Sequence, residues 1–136
     1  MQERDLQALN IGAFMNGMLS VFCTLRSSIF DPHEYTLEIT LRNEGSKALR
    51  NFLLTVGGTS GIKFKNDRDL FRVSNIAKNI SLLRAGQTQI VNVEIKSLLD
   101  YFTGDLKISA TPLKNSPATE RLIVEMCVAE ELRTSA

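Results

Sequence analysis

Few residues of this chain have the chemistry of a catalytic group, and they are not spaced to act together. A hydrolytic triad or a proton relay needs a base that titrates near neutral pH, and the single histidine, His33, stands beside a proline in a predicted connection. Cys23 lies within an apolar run, where a thiol is inert rather than nucleophilic. The sequence therefore predicts a non-enzymatic protein.

Metal and cofactor sites are not indicated either. Cys23, Cys127 and the histidine lack the close spacing of zinc ligands. Asp67 and Asp69 fall short of the acidic alternation of a calcium loop. The glycine-rich segment 57–61 lacks the Gly-Lys-Ser/Thr ending of a phosphate-binding loop, so we expect a turn between strands there. We expect no cofactor, no metal, and two free cysteines in a reducing compartment.

Charge is informative only over part of the chain. The net charge of +1 creates no overall field that would attract nucleic acid or an anionic membrane. Between residues 63 and 84, however, basic residues outnumber the two aspartates: they are Lys63, Lys65, Arg68, Arg72, Lys78 and Arg84. The first four are candidates for binding an acidic peptide or lipid phosphates. The alternative is that these side chains are solvated separately and do not form a common site. The few aromatic residues in this segment argue against nucleic acid.

The elements that carry these residues are short β-strands. Between Tyr35 and Val56, two runs of alternating apolar residues flank residues 43–46, whose types suit a tight turn that we expect to hold the two runs in register. Similar runs recur at spacings of about 8–12 residues. The predicted strands cover residues 18–25, 35–43, 49–56, 62–64, 76–83, 88–96, 105–111 and 120–128.

This pattern predicts one all-β domain, an antiparallel immunoglobulin-like sandwich of about seven or eight strands. Crossover helices of the length that parallel strands require are absent from the sequence pattern. We expect the sandwich over residues 18–128, after a linker or short helix at 1–17 and before a tail at 129–136.

A second candidate surface is apolar. Phe22, Leu53, Ile90 and Ile123 fall out of phase with the inward-facing residues of their strands, which places them on outer sheet faces. Such a face can close a homodimer or pack against a larger assembly. A strand that is covered on both sides would bury them instead.

From Met18 to Val128 the chain resembles the immunoglobulin-like appendage, or ear, of clathrin-adaptor γ-subunits and related monomeric adaptors. It is also similar to the ear-like domains of the Bardet–Biedl coat complex. The resemblance rests on the stretch YTLEITLRNEGSKALRNFLLTV and on a Leu-Arg-Ala-Gly-Gln-Thr turn that leads into the strand IVNVEI.

The resemblance implies a non-enzymatic module that binds short, acidic, phenylalanine-containing motifs in a basic and apolar pocket, built partly from a late strand. The matching strand here keeps Lys107 of the family's alternating basic residues, whereas Asp105 has the opposite sign. Ear-like domains of coat complexes serve instead as packing or dimerising elements, a role that does not require the pocket.

We therefore expect a cytoplasmic protein–protein interaction module in vesicle trafficking and protein transport, in contact with membranes only indirectly, through a coat complex. The expected partner is a protein or peptide, which docks along a sheet edge or in a pocket rimmed by Lys63, Lys65 and Lys107. The alternative is a structural subunit or dimerisation domain that uses the apolar face.

Overall fold

The computed structural model describes residues 6–28, 30–31, 33–59, 61–66, 68, 70–97, 104–113 and 121–128. Over these residues the chain is all-β. Its ten strands are β1 Leu6–Phe14, β2 Gly17–Ser27, β3 Glu34–Asn43, β4 Leu49–Gly58, β5 Ile62–Lys65, β6 Phe71–Val73, β7 Asn75–Leu83, β8 Thr88–Ser97, β9 Gly104–Pro112 and β10 Leu122–Val128.

The strands form two antiparallel sheets that pack face to face as a sandwich. Strands β1-β2-β3-β8-β5-β6 make a six-stranded sheet, and β10-β9-β4-β7 make a four-stranded sheet. Burial alternates along β3 and β4, so that Leu37, Ile39 and Leu54 lie in the core while their neighbours face outward. The prediction of an antiparallel β-sandwich is confirmed, and each of the eight predicted strands is present to within about two residues.

The predicted linker or short helix at 1–17 is wrong for the residues described there. β1 pairs with β2 along its whole length, and Met15 and Asn16 connect the two strands with φ angles of 53° and 61°. Such a two-residue turn with positive φ matches the twist of a hairpin. The inward positions of β1 include the small residues Ala8 and Gly12, so the usual alternation of a half-buried strand is weak in this segment.

The strands on either side of residues 43–46 do not pair with each other. β3 pairs with β2 and β8 in one sheet, whereas β4 pairs with β7 and β9 in the other. The expectation that this turn holds its two flanking strands in register is therefore wrong. Alternating apolar residues show that each strand buries one face. The same alternation occurs whether two consecutive strands form a hairpin or lie in different sheets, so it does not show which strands pair.

Asn43 organises this connection because all of its polar atoms are hydrogen-bonded inside the protein. Its side-chain amide donates to the carbonyls of Lys47 (2.7 Å) and Leu83 (2.9 Å), and its Oδ1 accepts from the Gly45 N–H (3.0 Å). Its backbone N–H and carbonyl bond to the turn at residues 84–87, at 3.1 and 2.9 Å. One buried side chain thus joins the end of β3 to the end of β7 in the opposite sheet.

The edges of the two sheets meet where β1 lies against β10. The side chain of Asn10 donates to the carbonyl of Ile123 at 2.8 Å. A Cβ at Gly12 would lie 3.0 Å from Cδ1 of Leu122, so the glycine permits this close approach. Phe14, at the end of β1, packs edge-on against Phe52 with ring centroids 5.3 Å apart. β1 is therefore part of the sandwich and its core.

Replacing Asn43 by alanine should lower the free energy of unfolding by about 2–4 kcal/mol, because the Leu83 and Lys47 carbonyls lose their donor. Urea unfolding followed by circular dichroism measures this loss. Asn92→Ala, at an exposed position of β8, is the matched control and should change stability by less than about 0.5 kcal/mol. Equal stabilities of the two variants would contradict the role assigned to Asn43.

Phe14→Ala should destabilise the fold by about 3–4 kcal/mol, because it leaves a cavity beside Phe52. Gln7→Ala on the exposed side of the same strand should change the free energy of unfolding by less than about 0.5 kcal/mol. The same urea titration compares the two variants. If Phe14→Ala is as stable as the wild type, β1 does not contribute to the core.

Candidate functional site

Three surface depressions adjoin one another, two on the outer face of the four-stranded sheet and one on the side of β7 that faces β5 and β6. The central depression lies over β4, β7 and β9 and shares Gly57 and Lys107 with a second one that extends toward Glu125. It shares Ile76 and Ala77 with a third, which extends around the β7 side to Lys65 and Lys78. We call the joined depression the Gly57 groove, defined by these seven residues.

The opening of the groove follows from one row of residues across the sheet. Glu125, Lys107, Gly57 and Asn75 lie directly opposite one another on four neighbouring strands. A Cβ placed on Gly57 would meet no atom within 4 Å. Because glycine contributes no side chain at the middle of the row, a gap remains between Lys107 and Asn75.

The ends of the groove differ in charge. At the β7 end, Lys65 and Lys78 line the depression, and Lys107 stands near the middle. The ammonium group of Lys65 lies 5.2 Å from the centre of the Phe71 ring. At the β10 end, Asp105 and Glu125 supply carboxylates. The groove thus has a basic end that suits acidic groups and a mixed end beside β10.

Of the predicted basic residues, Lys65 and Lys107 border the groove. They come from different sheets and line adjoining depressions that share Ile76 and Ala77. The two sheets are connected there because Ser74 alone separates β6 in one sheet from β7 in the other. Lys63 instead donates to Oγ of Ser74 at 3.1 Å on an exposed surface.

The remaining predicted basic residues, Arg68 and Arg72, are exposed in and beside the 66–70 loop and do not line the groove described. Oδ1 of Asn66 accepts from the N–H groups of Arg68 (2.9 Å) and Leu70 (3.0 Å). The predicted turn at 57–61 begins later than expected, since Gly57 and Gly58 still belong to β4. Asp67 and Asp69 lie outside the described residues.

The four predicted apolar surface residues divide between the two sheets. Phe22 and Ile90 lie on the outer face of the six-stranded sheet, whereas Leu53 and Ile123 lie on the outer face of the four-stranded sheet. Ile90 is exposed and the other three are half-buried. Sequence reasoning missed exposed Leu9 on the same face as Phe22, because β1 was not predicted.

The structure separates the residues that a nucleophilic mechanism would need. Cys23 is buried in the core and pairs with Ile39 on β3. His33 precedes Ile39 by six residues, which corresponds to about 20 Å of extended chain between the histidine and the level of the thiol. Burial raises the pKa of the Cys23 thiol to about 12. Cys127 is exposed, and its hydrogen bond to the Asp105 carboxylate, with the charge of that carboxylate, raises the pKa of its thiol. Both thiols are free.

In the part of the chain that the structure describes, no three His, Cys, Asp or Glu side chains are grouped so that they could hold a metal ion. The same residues contain no helix with the length and apolar character that crossing a membrane requires. The chain matches no protein-family model, and a search of curated proteins found no match to it. The fold and this surface define an antiparallel β-sandwich with an open, lysine-bordered groove.

The buried thiol predicts a loss of stability as the pH rises from about 9 to about 12. In this window the Cys23 thiol releases its proton in the unfolded chain, while the folded protein retains it because its pKa is raised from 9.0 to about 12. Unfolding is then favoured by up to about 1.4 kcal/mol per pH unit, and below pH 9 the contribution is constant.

Urea unfolding of the wild type and of Cys23→Ala at several pH values isolates this effect from other titrating groups. The stability of the wild type relative to the variant should fall across the window. A difference that stays constant from pH 8 to about pH 11 would show that the thiol titrates normally in the folded protein.

Proposed function

We propose that this protein is a non-enzymatic protein–protein interaction module that binds an extended, acidic segment of a partner protein in the Gly57 groove. The observation that carries the proposal is the row in which Gly57 leaves an open floor beside Lys107, continuous with a basic end at Lys65 and Lys78. Carboxylates of the segment pair with these ammonium groups, and its apolar side chains cover Gly57, Ile76 and Ala77.

The direction of the groove favours side-chain recognition over strand addition. The row from Lys107 through Gly57 to Asn75 crosses the strands. A segment that follows this row lies across β7 and does not extend the sheet by pairing with its edge. Affinity then depends on the lysines and on the open floor rather than on the backbone of β7.

The order of strands supports an immunoglobulin-like assignment. In constant-type immunoglobulin sandwiches, strands A-B-E-D face strands C-F-G. Here β2-β3-β8-β5 are neighbours in one sheet and β10-β9-β4 in the other, and these seven strands follow the same order along the chain. β1, β6 and β7 are additions to that plan.

Together with the resemblance to adaptor and coat-complex ears, this assignment leads us to propose a cytoplasmic role in vesicle trafficking. In this role the module recognises a partner of a protein coat, and its contact with the membrane is indirect. The acidic, phenylalanine-containing motifs bound by adaptor ears have the chemistry that the groove accepts, since they combine carboxylates with one apolar anchor. No cofactor takes part in such docking.

A fluorescent peptide of about twelve residues, with several Asp and Glu residues around one Phe, serves as the probe. Fluorescence anisotropy should show that Lys65→Glu and Lys107→Glu each weaken its binding by roughly tenfold or more. Gly57→Leu should abolish binding, because a side chain enters the open floor without meeting the protein. Lys47→Glu, at an exposed turn between β3 and β4, is the matched control for charge and should leave affinity unchanged.

A peptide in which Lys replaces every acidic residue tests the sign of the charge and should not bind. The proposal fails if Gly57→Leu binds the acidic peptide as the wild type does. It also fails if Lys47→Glu weakens binding as much as Lys107→Glu, because the effect then reflects net charge and not the groove.

A further inference from the structure

The outer face of the six-stranded sheet carries an apolar row that is open to solvent. Leu9, Phe22, Thr40 and Ile90 lie directly opposite one another on β1, β2, β3 and β8. Leu9 is 56% exposed and Ile90 is 55% exposed, and Ile11, two residues from Leu9 on β1, is 51% exposed. Large apolar side chains grouped on an outer sheet face are typical of surfaces that are covered by a protein.

The charged residues around this row alternate in sign in a particular way. On one side of the row, Arg42 comes first and Glu44 lies beyond it, 3.4 Å from the Arg42 guanidinium. On the other side Glu38 comes first, and Arg26 lies beyond it at 3.7 Å. Along β2 and β3, moving outward from the row, the signs are therefore positive then negative on one side, and negative then positive on the other. Glu94 lies on β8 in the same cross-strand row as Arg26.

We propose that this face binds a second copy of the chain, with a two-fold axis parallel to the apolar row. In this arrangement the rows of the two copies stack, and Leu9, Phe22 and Ile90 bury one another. Each residue on one side of the row faces the other side of the second copy. Arg42 then faces Glu38 of the second copy, and Arg26 faces its Glu44, twice each by symmetry.

The charges also select against one alternative symmetric arrangement. A two-fold axis parallel to the strands and running along β3 would also stack the two faces, but it would place Arg42 on Arg42 and Glu38 on Glu38. Like charges opposed in an interface are unfavourable, so this arrangement is disfavoured. The charges therefore favour the axis parallel to the row over an axis along β3.

The size of the face fits a weak or moderate dimer. Four strands at a spacing of about 4.8 Å, and about nine residues along each at about 3.4 Å, cover roughly 20 Å by 30 Å. This footprint is close to the lower end of stable interfaces, which bury about 600–1,000 Å² on each partner. The Gly57 groove lies mainly on the other sheet, and Lys65, its one residue from the six-stranded sheet, is on β5, outside the four strands of this face. The groove therefore stays open in such a dimer, and the two proposals are independent.

Sedimentation equilibrium of the full chain, from about 1 μM to about 500 μM, tests the proposal. The wild type should pass from monomer to dimer over this range. Ile90→Lys changes an exposed side chain, so the fold should be unaffected, as circular dichroism can check, and the variant should remain monomeric. A wild type that stays monomeric throughout the range overturns the proposal.

Complementary charge reversals test the orientation itself. Arg42→Glu alone, or Glu38→Arg alone, places two pairs of like charges opposite each other in the dimer. The dimer dissociation constant of each variant should therefore be at least roughly tenfold higher than that of the wild type. An equimolar mixture of the two variants restores both pairs and should form dimers that contain one copy of each. If the mixture is no more dimeric than the separate variants, the proposed orientation is wrong.

Discussion

The hydrogen bonds of Asn43 set the relation between the two sheets. This side chain stands at the end of β3 in one sheet and reaches the carbonyl of Leu83 at the end of β7 in the other. β7 extends from that point to Asn75, which borders the Gly57 groove. Because β7 is an edge strand paired only with β4, its position depends on this buried anchor as well as on the ladder. The groove therefore depends on a polar contact at the far end of the same strand.

The fold could be predicted from the sequence wherever a strand buries one face and exposes the other. β3, β4 and β8 alternate in this way, and their inward residues are those expected. β1 could not be recognised because Gly12 and Ala8 occupy inward positions while Leu9 and Ile11 face solvent. The pairing of strands was also out of reach, since alternation gives the buried face of a strand and not its neighbours.

The same limit applies to the groove. Lys65 and Lys107 could be chosen for their charge, but their places along the groove depend on the register of β9 against β4 and on the crossing between sheets at Ser74. In the sequence, Gly57 has the character of a turn residue. Only its position opposite Lys107 on the neighbouring strand shows that it forms the open floor of the groove. Arg68 and Arg72 have the same chemistry and lie nearby in sequence, yet they do not line the groove described.

The two outer faces differ in what they contribute to the isolated domain. Lys78 and Lys107 are exposed and Lys65 is half-buried, so the groove costs the folded protein little. Leu9 and Ile90 are more than half exposed and gain only part of the hydrophobic free energy that burial would give. Covering each would contribute about 1 kcal/mol, and Phe22 between them adds to this. Arg42 and Glu38 lie on opposite sides of these residues. A second copy turned about an axis parallel to the row therefore supplies both the cover and the complementary charges.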